Sequence, residues 1–231
     1  MTILALGFVL GMRHALDPDH VVAVSMIVSR GRSLVGSLLI GAFWGIGHTA
    51  TLLGVGALIL VLKVSIPAMV ALAMELGVGI MLVFLGGVVA AGLVKERLHL
   101  HPHRHEDGAP HLHLHTHTDQ EPHPHPHTLR RGYRSLAIGM VHGLAGSAAL
   151  MLLIVANIDS IGQGLLYIVA FGAGSIAGMM LISTMIGLPF VYTAVRFSRL
   201  NRILTGFASA ASIALGSVII YEIGFVQGLF R

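Results

Sequence analysis

Within the first apolar run of the chain, Arg13-His14-Ala15-Leu16-Asp17-Pro18-Asp19-His20 brings five ionisable side chains into eight residues. Two imidazoles and a carboxylate at this spacing suit a borderline divalent ion such as Ni²⁺, Co²⁺ or Zn²⁺. On a helix turning about 100° per residue, Asp17 lies about 60° from His14 and His20 about 60° further on, so these three form one stripe while Asp19 points elsewhere. Pro18 has no N–H to offer the carbonyl of His14, which loosens the helix there. A break at that point turns Asp19 and a freed carbonyl toward the same cavity. The competing reading is structural, an ion-pair cluster in which Arg13 holds Asp17 or Asp19 and His14 merely hydrogen-bonds. Ionisable groups at bilayer depth mark pathways more often than struts, which favours a metal site. No H-E-x-x-H occurs, so this is not a metalloprotease signature.

Two further histidines fall inside apolar runs. His48, in Gly47-His48-Thr49, is an interhelical hydrogen-bonder when taken alone, and a third or fourth ligand beside the first cluster. His142, in His142-Gly143-Leu144-Ala145-Gly146-Ser147, either marks close helix packing through its glycines or faces His14 across a site, with Ser147 as an auxiliary. Glu75 and Glu222 lie near the ends of apolar runs and receive no role, and the dispersed methionines read as packing material.

The elements that must hold these groups are membrane spans. Apolar residues make up 55% of the 231 and charged residues 10%, with a mean hydropathy of +0.85, too little polar surface for a water-facing globule. There is no Cys, which excludes disulfides, thiolate zinc, iron–sulfur clusters and cysteine nucleophiles. Six apolar runs are long enough to span: Thr2 to Val28, Leu34 to Leu62, Ile66 to Val94, Ser135 to Ala156, Ile161 to Val195 and Ile203 to Gln227. The fifth contains Pro189 and is expected to kink or end near Gly187. No Lys or Arg precedes the first run and no A-x-A follows it, so it is read as a retained helix rather than a removed signal peptide.

Between the third and fourth runs the composition switches to Pro, Asp, Glu, Thr and His. His99, His101, His103, His105, His111, His113, His115, His117, His123, His125 and His127 all lie there, in a segment expected to be disordered without a ligand and to bind divalent metals with little selectivity. Eleven Lys and Arg fall in connections on one side of the membrane, and only Lys63 and Arg231 on the other. That asymmetry predicts both termini outside and the His-rich segment in the cytosol, and it explains the formal charge of +4 without nucleic acid. Gly11 to Leu16 aligns with Gly139 to Leu144, and Ala42-Phe43 with Ala170-Phe171, both at an offset of 128, while Leu85-Gly86 matches Leu215-Gly216 at 130. The expected fold is therefore all-α and polytopic, a single transmembrane domain of six helices in two inverted three-helix repeats, 1–94 and 134–231, joined by the His-rich segment 95–133.

His14-Ala15-Leu16-Asp17-Pro18-Asp19-His20 resembles the H-x4-D-H signature of the nickel/cobalt transporter (NiCoT) family, with Pro18 where the family usually has Ala. Gly47-His48-Thr49 resembles the family's L-G-H-S/T segment, and His142 to Leu150 resembles its urease-accessory branch of small six-helix members. The resemblance implies a permease of the cell (inner) membrane for Ni²⁺ or Co²⁺, with Zn²⁺ a further possibility and no prosthetic group. By it, His14, Asp17, Asp19, His20 and His48 carry metal recognition, with cytosolic metallochaperones as potential partners. The acidic signature of the later helices of larger members is missing, which leaves the second half to His142 and Ser147. Three other classes compete: a membrane metal sensor or chaperone working through the His-rich segment, a small-solute exporter on the same plan, and an enzyme. The carboxylate–imidazole stripe argues against the exporter, and the lack of a nucleophile–base pair against the enzyme.

Overall fold

The computed structural model describes residues 2–31, 33–64, 66–95, 100–103, 111–114, 128–145 and 160–230. The chain runs α1 (Thr2–His14), α2 (Pro18–Val28), α3 (Leu34–Leu62), α4 (Ala68–Lys95), β1 (Leu100–His103), β2 (His111–Leu114), α5 (Thr128–Leu144), α6 (Ile161–Arg196) and α7 (Ser198–Tyr221), with a π-helical turn at Glu222–Val226. Among the described residues, four helices are long and apolar enough to cross a membrane: α3, α4, α6, and α7 with its π-helical extension.

The first expected span is divided. Its two pieces, 13 and 11 residues long, are each shorter than the ~17–25 residues that a crossing needs. The fifth is undivided, since α6 runs through Pro189 to Arg196 rather than ending near Gly187. The hydroxyl of Thr193 donates to the carbonyl of Pro189 at 2.7 Å, one turn beyond the proline. The fourth expected span is described only as far as Ala145, where α5 has ended; its remainder, Ser147 included, lies outside the described residues.

Within the segment 95–133, most residues lie outside the described ones. Leu100–His103 pairs antiparallel with His111–Leu114, and α5 begins at Thr128. Strict alternation of His with Leu or Pro is the period of a strand, which a reading by composition passes over.

The packing is that of a membrane bundle. Large apolar side chains such as Phe84 and Phe207 are exposed, 66% and 75%, while α3 buries Ser37, Gly41, Gly45, Gly47 and His48. Helices that gain nothing from hiding apolar surface associate through small residues and interhelical hydrogen bonds instead. A Cβ on Gly11 would collide with the carbonyl of Phe171, bringing α1 onto α6, and one on Gly139 would collide with the carbonyl of Trp44, bringing α5 onto α3. Across the second type of contact, Ser135 donates to the Ile40 carbonyl at 2.7 Å, Ser209 to Gly86 at 2.7 Å and Ser212 to Leu82 at 2.8 Å. The main pairings are α3 with α5 and α6, α1 with α6, and α4 with α7.

Two buried apolar clusters result. One contains Val24, Ile40, Trp44, Leu82 and Met179, and the other Leu52, Tyr167, Ile168 and Phe171. Ser212→Ala should cost roughly 0.6–2 kcal/mol through the lost α7–α4 bond, read as a lower thermal midpoint in detergent. Gly139→Leu should yield no monodisperse protein, because α5 then cannot seat on α3.

Candidate metal centre

The break between α1 and α2 is built by three residues. The N–H groups of Leu16 and Asp17 turn back to the carbonyls of Arg13 and His14, at 2.9 and 3.1 Å, closing α1 tightly. Asp17 then caps α2 with an extended backbone, φ −59° and ψ 139°, and its carbonyl receives the N–H of Val21 at 3.0 Å. Pro18 occupies the first position of α2, where its missing N–H costs nothing. Asp19 follows in the first turn, where the helix dipole favours a negative charge.

Because the helix stops and restarts, His14 at the end of α1 and His20 in the first turn of α2 meet. Their ring centroids are 4.6 Å apart. From α3, His48 closes the group, with centroids 5.0 Å from His14 and 5.3 Å from His20. His20 and His48 are at most 1% exposed and His14 is 9% exposed. The uniform stripe expected of a continuous helix is thus replaced by a fold-back that recruits Asp19 as well.

The carboxylates face the imidazoles rather than Arg13. Asp17 Oδ2 lies 2.7 Å from His14 Nδ1, and Asp19 Oδ1 lies 3.0 Å from His20 Nδ1. An ionised carboxylate can only accept, so each Nδ1 carries the proton and each Nε2 is left with its lone pair. This is the carboxylate–histidine arrangement that orients metal-binding imidazoles. His14 Nε2 stands 3.2 Å from His48 Nε2. Two nitrogens held at ~2.0–2.1 Å from one ion would be ~2.9 Å apart at a right angle and ~3.4 Å apart at the tetrahedral angle, so this separation fits a shared ion. His14, His20 and His48 offer ligand atoms that all lie within 4.8 Å of one another, and Asp17, Asp19 and His20 do the same. Arg13 is exposed on α1, and no ion pair involves it among the described residues.

His142 arrives from α5. Its ring centroid is 4.9 Å from that of His20, and its Nε2 is 3.6 Å from Asp19 Oδ2, beyond hydrogen-bond reach. Both ring nitrogens of His142 are buried without a partner, as are His20 Nε2, His48 Nδ1, Trp44 Nε1 and Ser175 Oγ. Each such group costs about 1–3 kcal/mol when nothing satisfies it. A divalent ion can take the lone pair of an imidazole nitrogen such as His20 Nε2, whereas the Trp44 N–H is a donor only and needs an acceptor.

Two neighbours of the site were not singled out from sequence. Trp44 stacks on His20 at 6.0 Å between centroids and lies 5.1 Å from His142. Phe171 of α6 lies 5.5 Å from His14 between ring centroids. Trp44 is one helical turn before His48, and that spacing was a usable signal. Of the loop histidines, His101, His103, His111 and His113 lie in β1 and β2, while the other seven lie outside the described residues.

The profile of the NicO family, described as high-affinity nickel-transport protein, matches residues 1–227. The urease accessory protein UreH of Bacillus sp. (strain TB-90) is 42% identical over all of this chain and 96% of its own length. The Arabidopsis thaliana chloroplast proteins FOR GROWTH AND FERTILITY 1 and 2 are 30% and 29% identical over 97% of this chain, which spans 60% and 57% of their lengths. No solved structure matches the chain.

If the carboxylates act mainly by orienting imidazoles, Asp17→Asn and Asp19→Asn should each weaken Ni²⁺ binding by roughly 10–100-fold without abolishing it. Equilibrium dialysis of the purified protein measures this. Acidifying the dialysis buffer should release the ion, since a protonated ring cannot ligate.

Proposed function

The chain belongs to the NicO family of high-affinity nickel-transport proteins, and from that premise we propose that it is a membrane permease carrying Ni²⁺ or Co²⁺ through the buried His/Asp site. Zn²⁺ fits the same donors less selectively. The observation that carries the reading is the convergence of His14, His20 and His48, buried and held within ligand distance of one another. In this reading the Nε2 atoms of His14, His20 and His48 hold the ion, Asp17 and Asp19 orient two of those rings and offset its charge, and His142 lends a donor from the second half. The ion is cargo, so the site needs no resident cofactor and performs no covalent chemistry.

Charge supports the same conclusion. With Arg13 outside the cluster, the partners of Asp17 and Asp19 are imidazoles, and a dication balances the two carboxylates. Burial of unbalanced charge costs several kcal/mol, so occupancy by a dication is the favoured condition of such a site.

We further read the two halves as an inverted repeat. The approach of Gly11 to Phe171 has its counterpart in Gly139 with Trp44, and that of Gly174 to Phe8 in Gly47 with Leu136. Corresponding residues of these pairs are displaced by 127 or 128 positions, the offset that the sequence itself carries. Transport is then a rocking of one half against the other around the site, with the His-rich segment cytosolic and both termini outside. Uptake is the direction that suits a relative named as a urease accessory protein, with cytosolic metallochaperones as the receiving partners.

In proteoliposomes, His14→Ala and His20→Ala should reduce Ni²⁺ flux to background while the protein still inserts. Normal flux in either variant would sink the assignment. A deletion strain that fails under nickel starvation supports uptake, and one that fails under nickel excess means efflux.

A further inference from the structure

Trp44 sits beside the histidine cluster with its polar atom unused. The side chain is fully buried. Its ring is stacked on His20, with 6.0 Å between centroids and 22° between planes, and its centroid is 5.1 Å from that of His142. A Cβ on Gly139 would lie 2.7 Å from Trp44 Cδ1, the carbon bonded to Nε1, so the N–H edge is turned toward α5, about one helical turn before His142. Among the described residues no acceptor meets that N–H. Stacking on His20 uses the face of the ring and not this edge, so packing alone gives the N–H no task.

The chemistry of the surroundings says what it can meet. An indole N–H only donates, so its partner must bring a lone pair. A bare cation brings none and faces the positive end of the N–H dipole. Asp19 Oδ2 lies 3.6 Å from His142 Nε2, so an acceptor carboxylate reaches the same ring that the indole leans on. A donor and an acceptor flanking one side of an imidazole cluster complement a water molecule held by the ion. Such a water gives one lone pair to the metal, accepts from Trp44 with the other, and donates a proton to Asp19.

Resting on the reading of the cluster as a nickel or cobalt site, we infer that Trp44 is a specificity-determining residue whose N–H holds an oxygen ligand that the ion keeps while bound. The cargo is thus taken partly hydrated. His14, His20 and His48 with His142 are enough to close the four-coordinate shell of Zn²⁺, which then has no oxygen for the indole to recognise. Ni²⁺ prefers tetragonal sites of mixed nitrogen and oxygen donors, which leave positions that water fills. The indole therefore favours Ni²⁺ over Zn²⁺ through what the ion carries rather than through its size.

Because the chain has a single tryptophan, that residue can be exchanged alone in the full-length protein. With 3-benzothienylalanine in place of Trp44, both fused rings remain and only the N–H is lost. Ni²⁺ and Zn²⁺ affinities are measured by equilibrium dialysis, and the binding left in His14→Ala protein is subtracted, which confines the readout to the cluster. The exchange should weaken Ni²⁺ binding roughly tenfold or more, as removing a group behind a metal's ligands does, and leave Zn²⁺ binding unchanged within error. A merely structural indole would weaken both ions alike. A Ni²⁺ loss no larger than the Zn²⁺ loss, including no loss of either, overturns the role of Trp44 and leaves the histidine site standing. Wild-type protein that shows no binding after the subtraction overturns that site itself, and the role of Trp44 with it.

Discussion

The structure depends on one constraint: polar groups inside a bundle with almost no water must find partners in the protein or in what it carries. Most of them do. Ser135, Ser209 and Ser212 each donate to a carbonyl of a neighbouring helix, and these bonds lie where the helices must approach most closely. The histidine cluster is the exception, with ring nitrogens of His20, His48 and His142 unpartnered at almost zero exposure. These unpaired nitrogens are the observation on which the proposed metal site rests.

The helix break shows how a short sequence meets that constraint. A continuous helix through Arg13 to His20 would have spread its carboxylates around the axis. Stopping at His14 and restarting at Pro18 lets Asp17 reach back to His14 and Asp19 lie against His20. The proline that interrupts the helix is also the residue best suited to begin the next one. Trp44 and Phe171, drawn from the two apolar clusters, then wall the imidazoles from either side.

Much of this was legible in the sequence, for physical reasons that differ from residue to residue. Long uncharged runs leave little choice of element, so α3 matched its expected limits of Leu34 and Leu62, and α6 began at the expected Ile161 and ran through Pro189 without ending there. That His14, Asp17, Asp19, His20 and His48 gather in one place was legible because ionisable residues are rare and costly at that depth. Which carboxylate oxygen meets which ring nitrogen was not. Whether a carboxylate ligates an ion or orients a ring depends on a few tenths of an ångström set by backbone turns, which helical periodicity cannot resolve. Arg13, the ion-pair partner of the competing structural reading, is instead exposed beside the buried His14 and enters no ion pair among the described residues. The β1–β2 pairing was missed because its alternation was read as composition rather than as strand period.

Trp44 has a consequence outside energetics. It is the single tryptophan of the chain, and its indole is stacked on one imidazole of the site and leans against another. All the indole emission of the molecule therefore originates beside the histidine cluster. On the proposed reading, an open-shell ion held by those imidazoles quenches that light, and its departure restores it. The protein is in effect labelled by nature at its centre, so that a spectrofluorometer can follow each filling and emptying in real time, with no dye attached.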